Sequence, residues 1–535
     1  MAAGSTPRLV REPRSRPPIP GSVQSVADVL QPIVGTTPHA AALVGRHGRY
    51  TYLELDREVS RAAHVLSALG VVPTDRVALC LPNDVDAVIA FLAIMRVGAV
   101  WVGVHRALAP TEKRHLIADS GATVLLAEPA AAAEVAALGN DLPQLRRTVL
   151  VDPDASDSEW HRSLAAADPS YATEPVDPFA AAAIAYTSGT TGVPKGVVHS
   201  QHNLILPGGV LVARKSFAAD EPHGVVHPLT ILNQLVLMVL VAFQAGAKCV
   251  VIDGHDPVTI ADWVARERIA TLSMVPTVFH DLLTHPHVRP QDLASVTKPR
   301  SGGSYPPEKL RTLFEERFGI RITSSFGLTE APTIVSREEP EDPYVEGCLG
   351  QALPQVQLLI RDDSDADVAP GSVGEICVGP ATDGPWAGVY TPMLGYWGLQ
   401  EETERALRGG VLHTGDVGRL DENGRLFLVD RKSSLIIRGG SNIYPAEVER
   451  VLQRHPSVAD CAVVPRPDER LGETTVAFIE LKAGALADPD ALLAQCRSHL
   501  ARYKVPDEIR FIDALPRGAL GKIARSRLEQ AAAGR

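Results

Sequence analysis

Hydrophobic and polar positions along the first three hundred residues switch repeatedly between two periods. Short apolar runs mark strands, and longer runs with apolar residues three or four apart mark helices. DRVALCLPN reads as a strand and turn, DVDAVIAFLAIMRVGAV as a helix, and WVGVH as the next strand. TEKRHLIADSG is a helix with Thr111 as the expected N-cap, followed by the strand ATVLLAE. The pattern returns in GAKCVVID, ADWVARERI, TLSMVP and TVFHDLLTH. Such alternation predicts α/β layers with parallel sheets. The alanine-rich EPAAAAEVAAL is a helix rather than a low-complexity tract. The most apolar stretch, 231–252, is broken by Asn233, Gln234, Gln244 and Lys248. Its uninterrupted apolar part is too short for a membrane span, so it predicts a buried helix and then a strand.

From about Glu346 to Asp430 helical periodicity fades, and Gly, Pro and short runs such as VGEICVG take over. This predicts a small β-rich subdomain over 346–430. Beyond Asp430 an α+β pattern follows, with a helix at PAEVERVLQRH, a strand at TTVAFIEL and a last helix near DALLAQCRSHLARY. The main boundary is expected at 431–434. The expected fold is α/β. It has a large N-terminal domain of layered sheets and helices over 26–430 and a small α+β C-terminal domain over 431–535.

Composition narrows the class. The chain has 535 residues, too many for one ordinary core. Its net charge of -11 argues against a nucleic-acid partner. Six cysteines without a C-x-x-C point to a reducing cytoplasm rather than a disulfide framework or zinc site. The opening MAAGSTPRLVREPRSRPPIP lacks an apolar signal region, and 1–25 reads as a disordered arm.

The most unusual run is YTSGTTGVPKG, Tyr186–Gly196, which leaves the end of the predicted strand AAAAIAY. Glycine lets backbone approach a ligand closely. Thr187, Ser188, Thr190 and Thr191 offer hydroxyls, Gly189 and Gly192 open the backbone, and Lys195 adds a point charge. Successive backbone N–H groups in such a loop make a concave anion site. A polyphosphate fits it. The loop is not a P-loop, because Pro194 precedes Lys195 and Gly196 follows it.

Further motifs follow in order: SGGSYPPEKL at 301–310, SFGLTEAP at 325–332, HTGDVGRLDENGRLFLVDRK at 413–432, GGSNIYPAEVE at 439–449 and LPRGALGKIAR at 515–525. The series resembles the adenylate-forming superfamily of acyl-CoA and aryl-CoA ligases, peptide-synthetase adenylation domains and luciferases. The resemblance spans nearly the whole chain after about residue 25. It implies a mobile C-terminal domain and a two-step reaction. A carboxylate attacks the α-phosphate of ATP, pyrophosphate leaves, and the acyl adenylate passes to a thiol, usually that of coenzyme A.

Residue by residue, the resemblance implies that Thr187, Ser188, Gly189, Thr190, Thr191, Gly192 and Lys195 hold the β- and γ-phosphates. Glu330 matches the Mg²⁺ ligand, and Asp416 with Arg431 the ribose partners. Gly303, Ser304, Tyr305, Ser325, Phe326, Gly327, Leu328 and Thr329 would line the nucleotide. Lys522 matches the lysine that bridges the carboxylate and α-phosphate; with Glu330 and Thr187 it forms the expected catalytic set. The acid pocket would draw on His227, Thr230, Asn233, Gln234, Gly302 and Gly327. His227, Asn233 and Gln234 read equally well as capping or core hydrogen-bonding groups. Arg438, Gly439 and Gly440 would meet coenzyme A, and Ser433 would be the hinge.

The chain departs from the family pattern at the hinge and the acid gate. Ser433 and Ser434 stand where a lysine or acid and a second acid are usual. Pro228-Leu229-Thr230-Ile231 replaces a motif that ends in an aromatic and a histidine. Phe326 replaces a tyrosine, and Val411-Leu412 a tryptophan-leucine. These changes point to an unusual, bulky or alicyclic acid, or to a weakened half-reaction. The leading reading is an acyl-CoA ligase using ATP, Mg²⁺ and coenzyme A on a small carboxylic acid. An acyl-AMP ligase loading a separate carrier protein is the alternative. A carrier protein and a second copy of the chain are the macromolecular partners this allows.

Overall fold

The computed structural model describes residues 16–535 apart from 138, 140–141, 172–174, 188–193, 255, 303–304, 333, 432–433, 439–440, 469, 519–522 and 535. By its internal contacts the chain divides into two units. One holds residues up to 359 with 377–414 and 424–426; the other holds 360–376, 415–423 and 427–535.

The first unit contains a seven-stranded sheet. Its order is Gly395–Tyr396, Lys195–Ser200, Ala181–Thr187, Val100–Gly103, Arg76–Cys80, Val124–Ala127 and Arg147–Leu150. The pairings from Ala181–Thr187 outward to Arg147–Leu150 are parallel. Lys195–Ser200 runs antiparallel to its two neighbours. Every residue of the helix Val85–Val97 is buried, as an all-round apolar sequence demands. Its one basic residue, Arg96, is tied to Asp56 at 2.6 Å and to Ser60 at 2.8 Å. The helix Pro110–Ser120 begins one residue before the expected cap. Ala109 is the N-cap, Pro110 takes the first helical position, and the Glu112 carboxylate accepts from the Ala109 N–H at 2.7 Å. Proline favours that position because its missing N–H would be unpaired there. Thr111 is therefore inside the helix.

A second sheet of the first unit runs Arg49–Thr51, Ala41–Val44, Cys249–Val251, His223–Val225, Thr271–Met274, Lys298–Ser301, Thr323–Phe326, Ser336–Arg337 and Cys348–Ala352. The predicted buried helix and strand appear here. Leu232–Gln234 and Val241–Ala245 are α-helical, with a π-helical stretch Leu235–Leu240 between them, and Cys249–Val251 is the strand. Within the arm expected over 1–25, Ile19 is buried and its N–H donates to Gln24 at 2.8 Å. Ser22 donates to Gln244 at 3.0 Å.

In the second unit, Gly472–Leu481 pairs with Val458–Asp468, Ile436–Arg438 and Glu508–Ile512. Helices Pro445–Gln453 and Pro489–His499 bury Val448, Leu452, Leu492 and Cys496 on one face of this sheet. The last helix is Arg525–Ala532, beyond the expected one. It buries Leu528 and Ala532, four residues apart, on Val464, Val476 and Phe478. Two apolar residues in so polar a segment are a weak periodic signal.

Candidate functional site

The phosphate-type loop closes an antiparallel hairpin. Thr187 lies opposite Lys195 and Tyr186 opposite Gly196. The pairing sets Thr187 and Lys195 at the two mouths of the loop, and the Thr187 hydroxyl donates to the Lys195 carbonyl at 3.5 Å. Gly196 has no room for a side chain: a Cβ would stand 2.8 Å from Ile184 and 3.2 Å from Trp397. The hairpin therefore packs directly on the 395–397 segment.

That segment supplies Tyr396, which joins the two charged groups of the site. Its hydroxyl donates to Glu330 Oε1 at 2.9 Å, and Lys195 Nζ lies 5.3 Å from its ring centroid. Burial, with the Glu330 carboxylate second, holds the phenol protonated far above its ordinary range, so it acts only as a donor. Glu330 Oε2 has no protein partner among the described residues. A carboxylate fixed through one oxygen and open at the other suits a hard divalent cation such as Mg²⁺.

The backbone beneath Glu330 is fastened on both sides. Met393 N–H donates to the Glu330 carbonyl at 2.8 Å. The Thr329 carbonyl accepts from His199 Nε2 at 2.7 Å. Burial pushes the His199 pKa down to about 4, so the ring is neutral with its proton on Nε2. Its Nδ1 then accepts from Asn203 Nδ2 at 3.3 Å, and the same amide group donates to the Pro392 carbonyl at 2.8 Å. Asn203 is itself set by Ser200, the N-cap of the helix Gln201–Ala213. One histidine and one asparagine thus fix both segments that position Glu330. His199→Leu should lower kcat/KM for ATP about 10-fold, the usual cost of losing an outer-shell support. His199→Gln, whose amide also donates, should recover most of it. ATP–pyrophosphate exchange measures both.

The expected acid-pocket residues fall into two groups. His227 is a structural link: its Nε2 accepts from Val275 N–H at 3.0 Å, and its carbonyl accepts from Asn83 at 2.9 Å. Thr230, Asn233 and Gln234 instead carry buried side-chain oxygens with no partner among the described residues. Asn233 and Gln234 lie in the helix Leu232–Gln234, and Thr230 in the turn before it. Gly302 has space around it, with Ser273 Oγ 3.6 Å from a built Cβ, and Gly327 is exposed. The Tyr305 hydroxyl accepts from Gly347 N–H at 3.0 Å and from Arg311 at 3.2 Å. Ser325 and Phe326 end the strand Thr323–Phe326, and Leu328 follows in the turn to Glu330.

In the second unit Asp416 is buried within the strand Leu412–Leu420. It follows Gly415, whose φ of 72° favours glycine and whose N–H donates to Glu375 at 3.1 Å. Arg431 ends the strand Arg425–Arg431. Arg438 is held by Asp507 and by the Tyr503 carbonyl. The expectations for Ser188, Gly189, Thr190, Thr191, Gly192, Gly303, Ser304, Ser433, Gly439, Gly440 and Lys522 lie outside the described residues.

Sequence reasoning missed Tyr396, His199 and Asn203. Nothing in LGYWG or VVHSQHN sets these residues apart until the hairpin and the 392–397 segment are adjacent.

The profile of AMP-binding enzymes matches residues 30–397, and that of the AMP-binding enzyme C-terminal domain matches 447–522. A feruloyl-CoA synthase of Amycolatopsis sp. is 35% identical over 497 residues, 92% of this chain and 96% of that protein. A methyl-dioxo-octahydro-indenyl-propanoyl:CoA ligase of Mycobacterium tuberculosis is 34% identical, covering 95% of this chain and 99% of that one. The ATP-bound crystal structure of MatB from Rhodopseudomonas palustris superposes with a TM-score of 0.85 at 28% identity, covering 94% and 98% of the two chains.

Proposed function

The chain belongs to the AMP-binding enzyme family, and on that premise we propose which of its residues carry the reaction. The protein is an AMP-forming acid–thiol ligase. It activates a carboxylic acid with ATP to an acyl adenylate and passes the acyl group to coenzyme A. No helix among the described residues is long and apolar enough to cross a membrane.

The observation that carries the assignment of roles is the meeting of Lys195 and Glu330 on Tyr396. Lys195, with Thr187 and the hydroxyl-rich loop, holds the β- and γ-phosphates and offsets charge on departing pyrophosphate. Glu330 would hold Mg²⁺ through its open oxygen. The bound ion would neutralise phosphate charge during transfer. Tyr305 and the 325–329 backbone line the nucleotide, with Asp416 and Arg431 on the ribose. Lys522 serves the first step by standing between two anions. Arg438, Gly439 and Gly440 meet coenzyme A, and Ser433 is the pivot between the steps.

Purified protein with ATP, Mg²⁺ and a panel of carboxylic acids tests this reading. Acid-dependent pyrophosphate release is expected, and AMP release should accelerate when coenzyme A is added. Acceleration by a phosphopantetheinyl carrier protein and not by coenzyme A would make the chain a carrier-loading ligase. Absence of pyrophosphate release with every acid would reject the assignment.

A further inference from the structure

Central parallel strands are buried on both faces and are usually apolar on both. The second sheet of the first unit keeps one face apolar throughout its centre. There Leu272, Met274 and Ile322 pack with Val264, Phe279 and Phe314 of the covering helices. The opposite face holds Leu43, Val225, Cys249 and Val251 at one end and turns polar over the next strands. His223 aligns with Thr271, Thr271 with Lys298, Arg300 with Thr323, and Ser325 with Arg337. The pleat puts these side chains on the same side. Phe217 lies over them, with its ring 4.8 Å from that of His223, 5.5 Å from Lys298 Nζ and 5.2 Å from the Arg300 guanidinium.

The cations of this layer are not equally matched. Lys298 is paired with Glu221 at 2.5 Å. Arg337 is paired with Glu339 at 2.6 Å and donates to Ser216 at 3.0 Å. Arg300 has no carboxylate at hydrogen-bonding distance among the described residues, and its buried Nε has no partner. Burial and the nearby Arg337 push its pKa down to about 9 against the opposing pull of Glu339 and Glu221, which leaves it charged at neutral pH. A desolvated cation with no carboxylate hydrogen-bonded to it is costly, and a fold retains one where something completes its pairing.

Its place says what does so. Arg300 is in the strand Lys298–Ser301, two residues before Gly302, roughly 7 Å along the chain. Gly302 opens the loop assigned above to the acid and nucleotide. The unpaired oxygens of Thr230, Asn233 and Gln234 belong to the same unit. A guanidinium presents a planar fork that a carboxylate matches with two parallel hydrogen bonds. We propose that Arg300 receives a second carboxylate of the acid substrate, so that the enzyme activates one end of a dicarboxylic acid while Arg300 holds the other. The assignment rests on the ligase reading above.

The test uses the full chain, ATP, Mg²⁺, coenzyme A and pairs of acids. Each dicarboxylic acid, straight-chain or ring-bearing, is matched to the monocarboxylic acid of the same skeleton. AMP release gives kcat/KM. Wild type should prefer at least one dicarboxylic acid over its partner by more than about 10-fold. Arg300→Met should lower kcat/KM for that diacid about 100-fold, mostly through its KM, and erase the preference. Arg300→Lys should restore part of it. The KM for ATP should stay as in wild type, which a collapsed fold would not allow. Preference for monocarboxylic acids throughout, or an unchanged ratio in Arg300→Met, would overturn the proposal while leaving the ligase reading intact. Arg300-dependent stabilisation by inorganic phosphate without any diacid preference would also overturn it, marking an inorganic anion site instead. Failure of every acid to release AMP would remove both.

Discussion

Lys522→Ala should cut adenylate formation by about two to three orders of magnitude and leave much of the thiol step. In the first step an acid carboxylate must approach the α-phosphate, and both carry negative charge. A cation between them stabilises the charge that develops as they meet, and loss of one such contact commonly costs a few kcal/mol. Lys522 follows Gly521 in LPRGALGK, the C-terminal motif of the series, and the C-terminal profile match ends on it. Attack of a thiol on a finished adenylate involves no such pair of anions, so supplied acyl adenylate should still be consumed with coenzyme A. ATP–pyrophosphate exchange measures the first step and adenylate consumption the second. Equal loss in both would reject a role confined to adenylation.

Glu330→Gln should lower adenylation about 100-fold at fixed Mg²⁺ and raise the Mg²⁺ concentration needed for half-maximal rate. The substitution keeps the shape and an oxygen able to accept from Tyr396, but removes the charge that a divalent ion requires. Tyr396→Phe makes the converse change. It keeps the charge and releases the carboxylate from its 2.9 Å hydrogen bond, so its cost should be nearer 10-fold. Pyrophosphate exchange against MgCl₂ concentration separates the two variants. Binding of Mn²⁺ in the presence of ATP, followed by electron paramagnetic resonance, reads the same site without turnover and should weaken most in Glu330→Gln. An unchanged metal dependence in that variant would remove Glu330 from the metal site.

Order along the chain was enough for much of this protein. Strands and helices through TLSMVP and TVFHDLLTH were legible because each carries a local period that survives in any packing. The phosphate-type loop and the GLTE and HTGD motifs were legible because their chemistry depends on consecutive residues. Thr187 and Lys195 could therefore be proposed from the loop itself, and Glu330 and Asp416 from the family resemblance that their motifs carry. The helix Arg525–Ala532 was missed because only Leu528 and Ala532 bury, and a two-residue signal is visible only against the sheet that covers it. The N-cap moved from Thr111 to Ala109 because a proline and a glutamate outweighed a hydroxyl.

Tertiary structure alone decided what stands around those named residues. Tyr396 is separated from Glu330 by 66 positions, and His199 from Thr329 by 130. No periodic pattern carries information over such distances, since these contacts arise from strands pairing across the fold. His227 bonds to Val275 and Asn83, while the side-chain oxygens of Thr230, Asn233 and Gln234 have no partner among the described residues. That separation depends on which backbone groups lie nearby, and a sequence does not contain it. Arg300 is the clearest case. In KPRSGG it reads as one more basic residue at the end of a strand. Its significance comes from the neighbours in the folded layer: Lys298 and Arg337 have their carboxylates, and Arg300 has none at hydrogen-bonding distance among the described residues. Whether a charge is compensated is a property of the three-dimensional arrangement, because the compensating groups come from strands and loops far apart in the chain.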